Sequence, residues 1–134
     1  MKTTYFLPVF ILTTFISCNQ EPIPALISFG VENEFRINGY YYSVDNALKF
    51  TITEVIDSRC PSDVVCIWAG KADVKIKVES PVAGIITLST YDNQVDTVGQ
   101  YSFKIIDVSP YPISTKTLQP EDYVILLKIE RLKN

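Results

Sequence analysis

The chain of 134 residues contains no histidine. That absence removes at once the commonest general base at neutral pH and the commonest metal ligand. Nor is there a stripe of one charge. Twelve Lys and Arg are scattered among fifteen Asp and Glu, for a net charge of −3. Nucleic acid calls for a clustered basic surface, so it is not an expected partner. No glycine-rich phosphate loop, serine-nucleophile motif or metal-spaced ligand set occurs, and no cofactor or metal is expected. Asp92, Asn93 and Asp96 offer oxygens to Ca²⁺, but they match no loop that supplies roughly six to eight ligands. They read as a solvated turn. Helical patterning is missing too: no 3.6-residue apolar repeat outlasts two turns.

What the chain does have is apolar and β-prone. Apolar residues make up 47% and charged residues 20%, a globular composition long enough for one domain. Eight Tyr, seven Phe and frequent β-branched residues suit pleated surfaces better than helices.

The first residues read as an address. Met1-Lys2-Thr3-Thr4 carries positive charge, and the run from Tyr5 to Phe15 is almost wholly apolar. Such a run is shorter than the roughly 20 residues of a permanent bilayer span and has the layout of a secretory signal. Phe15-Ile16-Ser17-Cys18 resembles a bacterial lipobox, with Phe15 in place of the usual Leu. Residues 1–17 are therefore expected to be a lipoprotein signal peptide and Cys18 the lipid-attachment site. The alternative is an ordinary signal peptide that leaves Cys18 a free thiol. Cysteine arithmetic favours lipid, because an exported chain with three cysteines has one left over. Asn19-Gln20-Glu21-Pro22-Ile23-Pro24 completes a polar tether over residues 18–24. Asn19 after the cysteine resembles the proteobacterial sorting pattern, which implies the outer membrane, with the domain facing either the periplasm or the cell surface.

Residues 25–134 read as a single all-β domain. Ala25 to Phe29 is a first strand. Glu34 to Ile37 and Tyr40 to Val44 flank Asn38-Gly39, the dipeptide of a type I′ hairpin. Tyr40-Tyr41-Tyr42 must show rings to both faces of its strand. Asp45-Asn46 turns into Ala47 to Ile56, where Leu48, Phe50 and Ile52 alternate with Lys49, Thr51 and Thr53. Cys66 to Glu79 reads as the clearest strand. Trp68, Ala72, Val74, Ile76 and Val78 share one face, and Lys71, Asp73, Lys75, Lys77 and Glu79 the other. Further strands run over Ile85 to Thr90, around Tyr101, Phe103 and Ile105, and from Tyr123 to Leu132. Tyr91 to Asp96 is read as a loop. Seven to eight such strands predict an antiparallel β-sandwich, immunoglobulin-like or similar, with a small β-barrel as the alternative. Leu118-Gln119-Pro120-Glu121-Asp122-Tyr123 resembles the corner before a late strand of immunoglobulin-like folds, one residue shorter than the fibronectin-type corner. Tyr123 is thus a candidate for the tyrosine whose hydroxyl bonds back to the loop backbone.

The chemistry-bearing residues gather between Asp57 and Gly70. Cys60 and Cys66 enclose five residues and are expected to pair in an oxidising compartment. Asp57, Arg59 and Asp63 bracket that ring. They form a charged recognition point, with Arg59 offering a bidentate fork; otherwise Asp57 and Arg59 pair locally, or Asp57 and Asp63 cap loop N–H groups. Trp68 is expected in the core by strand parity, and its alternative is an exposed binding platform. Tyr111 is the remaining candidate binding residue.

The segment Asp57-Ser58-Arg59-Cys60-Pro61, Asp63-Val64, Cys66, Trp68-Ala69-Gly70 resembles a motif of small secreted or lipid-anchored bacterial proteins. Val108-Ser109-Pro110-Tyr111-Pro112 and Pro120-Glu121-Asp122-Tyr123 are similar to the same family's closing motifs, in the same order. The resemblance implies one all-β domain with a Cys60–Cys66 bond, and it brings no activity with it. The expectation is a membrane-anchored, non-enzymatic module that recognises a protein or glycan. One alternative is an inhibitor that inserts the Cys60–Cys66 loop into an extracytoplasmic hydrolase. Another is a small hydrolase using two carboxylates.

Overall fold

Leu48, Phe50 and Ile52 are fully buried while Lys49, Thr51 and Thr53 between them are not. This period-two pattern belongs to a sheet with one face on a core and one on solvent, and it repeats along the chain. The structure is a computed structural model that describes residues 25–133. The expected signal peptide (1–17), Cys18 and the tether (18–24) lie outside the described residues.

The described residues form nine strands: β1 (Ala25–Ile27), β2 (Glu32–Phe35), β3 (Tyr40–Ser43), β4 (Lys49–Asp57), β5 (Ala72–Ser80), β6 (Gly84–Ser89), β7 (Val95–Val98), β8 (Tyr101–Ser109) and β9 (Val124–Arg131). They make two sheets, ordered β1-β3-β4-β5-β6 and β2-β9-β8-β7. The strand pairing is antiparallel except between β1 and β3. Neither sheet closes on itself, so the fold is a β-sandwich and not a barrel. One inner face supplies Phe50, Ile52, Val74, Ile76 and Leu88; the other supplies Phe103, Ile105, Ile125, Leu127 and Ile129. Phe50 and Phe103 meet across the sheets edge to face at 5.4 Å, the arrangement that ring quadrupoles favour.

Four local expectations are corrected. Asn38-Gly39 joins no hairpin, because β2 pairs with β9 and β3 with β4 in the other sheet. Only Asn38 has a positive φ, at 63°. Its N–H donates to the Ile52 carbonyl at 2.7 Å, which turns the chain out of one sheet and into the other. Second, the hydroxyl that bonds back to its own loop belongs to Tyr41 and not Tyr123. The Arg36 N–H donates to it at 2.7 Å. Third, the strand Val95–Val98 begins within the expected loop, at Val95 and Asp96, and folds onto β8 through Gly99 at φ 57°. Fourth, β5 begins at Ala72 rather than Cys66, which removes Trp68 from its face.

Because Phe103 is fully buried and bridges the sheets, Phe103→Ala should lower the urea unfolding free energy by about 3–5 kcal/mol. A loss below about 1 kcal/mol, the usual size of a surface effect, would show that the ring does not join the layers.

Candidate functional site

A bulge aims the first residue of the site. Even-numbered residues of β4 face the core up to Ile52, and the register with β5 then shifts between Ile52 and Glu54. Beyond the shift Val55 pairs with the inward Val74, and Asp57 with the inward Ala72. Without that extra residue the alternation would bury Glu54 and turn Asp57 to solvent. Across the sandwich β8 has a matching shift between Ile105 and Asp107. It turns Val108 inward and leaves Asp107 exposed.

Between these strand ends sits Arg59. Its Nε donates to Asp57 Oδ1 at 2.8 Å and its Nη2 to Asp57 Oδ2 at 2.6 Å. Nη1 donates to the Val108 carbonyl at 2.6 Å, and Nη2 also to the Pro110 carbonyl at 3.0 Å. The Arg59 N–H donates to Asp57 Oδ1 at 3.1 Å, and the Tyr123 hydroxyl to Oδ2 at 3.3 Å. The Tyr111 ring covers the guanidinium at 4.5 Å. Both charged side chains are only 5% exposed. Burial pushes the Asp57 carboxyl up, but the hydrogen bonds and charge of Arg59 outweigh it and hold it below the ordinary carboxylate range. Burial likewise works against the Arg59 charge, and Asp57 more than restores it. The fork is therefore occupied within the protein. Of the two readings of Asp57 and Arg59, the geometry realises the local pair, and it joins one sheet to the other.

Asp63 is spent in the same way. It accepts from the Ser114 N–H at 2.8 Å and from the Ser114 hydroxyl at 2.5 Å, which lowers its carboxyl pKa. The Ser62 N–H donates to the Pro112 carbonyl at 3.0 Å. Cys60 and Cys66 form the expected disulfide. At the base of the loop the Cys60 N–H donates to the Ala69 carbonyl and the Ser58 N–H to that of Lys71, both at 2.8 Å. Gly70 adopts φ 69°, and a β-carbon there would run into the Ser58 carbonyl. This left-handed residue breaks the alternation ahead of β5.

The break is why Trp68 is not in the core: it is 81% exposed. Ile67 is 93% exposed, Val65 fully so, and Val64 lies out as well. Two shallow depressions flank the Ala69-Gly70 floor. One, of about 460 Å³, lies between Trp68 and Tyr91; the other, of about 270 Å³, between Tyr91 and Tyr111. Tyr91 is thus the wall they share. Lys71 at the rim is tied to Asp92 at 2.8 Å. Ile67 and Tyr91 escape a reading from charge and cysteine alone. The available signal was Gly70, a residue suited to ending the parity that would have buried Trp68. No group of three Cys, Asp or Glu is placed to hold a metal among the described residues. No family model, curated protein or solved structure matches the chain.

Arg59→Ala leaves Asp57 buried without its partner and should cost about 3–5 kcal/mol in urea unfolding. Arg59→Lys keeps the charge but not the fork, so it should recover only part; full recovery would mean that charge alone suffices. The pH dependence has a fixed sign. Asp57 has a folded pKa below its unfolded value, so its contribution is complete above about pH 4 and fades as pH falls through the folded value. Unfolding free energy should be flat from about pH 7 to 5 and decline below about pH 4. Asp57→Asn should flatten that decline, and an equally steep fall in the variant would contradict the assignment.

Proposed function

We propose that this chain is a lipid-anchored protein of the bacterial envelope. It acts as a non-enzymatic interaction module whose recognition surface is the disulfide-closed loop. The observation that carries the reading is the run Val64, Val65, Ile67 and Trp68, large apolar side chains held out in solvent by a braced loop. A soluble domain gains by burying such side chains, and an exposed cluster of them marks a contact surface. Bracing lowers the ordering cost of binding, because the loop already has its shape. Asp57, Arg59 and Asp63 act as its supports, and Tyr111 as the cover of Arg59. The two depressions beside the loop hold one carboxylate between them, Asp107, where two-carboxylate hydrolysis would need a facing pair.

The anchor rests on Cys18 and the apolar segment before it. The likeness of residues 57–70 to motifs of lipid-anchored bacterial proteins supports the same location, and Asn19 supports the outer membrane. A second reading, inhibition of an extracytoplasmic hydrolase, is favoured by the exposure of Ser62 through Val65, the residues that would enter a cleft.

In native envelopes Trp68 should be oxidised by hydroxyl radicals several-fold more slowly than its exposure dictates, while the exposed ring of Tyr40 should react normally. Equal, unprotected reaction of both would refute the loop as a recognition surface. Cys18→Ala should move the protein out of the membrane fraction, and unchanged fractionation would remove the anchor from the proposal. A hydrolase recovered with the wild type, and inhibited by it, would select the second reading.

A further inference from the structure

We infer that the occupant of the loop is the lipid bilayer that carries the protein's own anchor: Val65, Ile67 and Trp68 seat in its interfacial layer and fix the domain's orientation. This rests on the reading above and names the partner of the same surface. Three observations point to lipid rather than to a protein groove.

The first is the chemistry of the tip. Between Cys60 and Gly70 the one charged residue is Asp63, and its carboxylate accepts hydrogen bonds from the Ser114 N–H and hydroxyl. The most exposed large apolar side chains are two aliphatics and an indole, Val65, Ile67 and Trp68. Tryptophan favours the headgroup boundary, where its ring is half apolar and its N–H still finds a partner.

The second is direction. β1 runs parallel to β3, which runs antiparallel to β4, so β1 and β4 point opposite ways. β4 rises towards Asp57 and the loop, so the N-terminal end of β1, at Ala25, faces towards the loop's end of the sandwich.

The third is reach. Ala25 pairs with Tyr41, which pairs with Phe50. Phe50 lies seven strand residues below Asp57, or about 23 Å at strand spacing. Residues 18–24 span at most about 25 Å when extended. A lipid on Cys18 can thus be level with the base of the loop, so anchor and tip can touch one surface.

The chain offers its own reporter, because Trp68 is its only tryptophan. The mature lipidated protein, extracted from its membrane, would be reconstituted into phosphatidylethanolamine–phosphatidylglycerol vesicles with plain or acyl-brominated lipids. Trp68 emission should be blue-shifted and quenched by roughly half or more in the brominated vesicles, as for an interfacial indole. The double variant Val65→Asp, Ile67→Asp should float with the vesicles through its anchor, keep its β-sheet circular dichroism and lose the quenching. Unquenched wild-type emission would overturn the inference. So would quenching that survives in the variant, since the tether alone would then hold Trp68 near lipid. If Trp68 is unquenched by vesicles yet protected in native envelopes, the loop recognises a protein or glycan and only the lipid assignment fails. If it is neither quenched nor protected, the recognition surface fails with it.

Discussion

The Asp57–Arg59 pair is the constraint on which the active-looking end of this sandwich depends. Two charges withdrawn from water carry a desolvation cost that their mutual attraction offsets only when the geometry is good and the remaining donors are filled. Here they are filled: the carboxylate accepts from Arg59 and Tyr123, and the guanidinium donates to the Val108 and Pro110 carbonyls beneath the Tyr111 ring. The partners come from β4, from the end of β8 and from the chain beyond it. One side chain therefore ties the two sheets together where no strand pairing does. The bulges on β4 and β8 are part of the same device, since each shifts the inward parity by one residue just before the latch.

A loop built on that latch can keep apolar side chains away from the core. Left flexible, Val65, Ile67 and Trp68 would gain by collapsing onto the nearest apolar surface. Several restraints oppose this together. The disulfide closes a ring whose loop-closure entropy is about 2–2.5 kcal/mol; Ser62 and Asp63 are pinned to Pro112 and Ser114; and Gly70 turns the chain by a route open to few other residues. Their joint effect is to hold out a surface that local energetics would bury. Backbone fixed at this cost is characteristic of sites that must be ready before a partner arrives.

Much of the fold was legible because alternation is a direct image of a half-buried sheet. Leu48, Phe50 and Ile52, then Ala72 through Val78, then Tyr101, Phe103 and Ile105 all fall on the faces that their spacing predicts. The disulfide was legible from the cysteine count of a chain read as exported, and the Asp45-Asn46 turn from its residues, with Asn46 at φ 55°. What stayed hidden involved long-range competition. Asn38-Gly39 has hairpin chemistry, but Phe35 and Tyr41 belong to opposite sheets and meet edge to face at 4.7 Å. That packing across layers overrides the local preference. The bulges did leave a trace: extending the alternation would place Glu54 and Asp107 in the core, and a carboxylate without a partner there is the mark of a slipped register. Trp68 was misplaced for the opposite reason. Its parity is right, but the strand that would enforce it starts four residues later, at Ala72.

The two ends of the sandwich differ in kind, and that difference gives the domain a polarity. At the far end Asp45 and Arg131 pair in the open, with the guanidinium also near the Phe29 and Tyr101 rings. Val44 and Val82 are exposed there too, but each stands singly beside a turn, and scattered apolar residues are ordinary on a soluble surface. At the near end one ion pair, Asp57 with Arg59, is drawn inward, and large apolar side chains stand outward in one run from Val64 to Trp68. A domain that only needed stability would arrange these the other way: ions in water, tryptophan in the core. That exposed run lies in one loop, and the loop is braced by the disulfide, by bonds to Pro112 and Ser114 and by Gly70. Rigidity that displays apolar side chains, rather than hiding them, is what the proposed contact surface requires of this end of the protein.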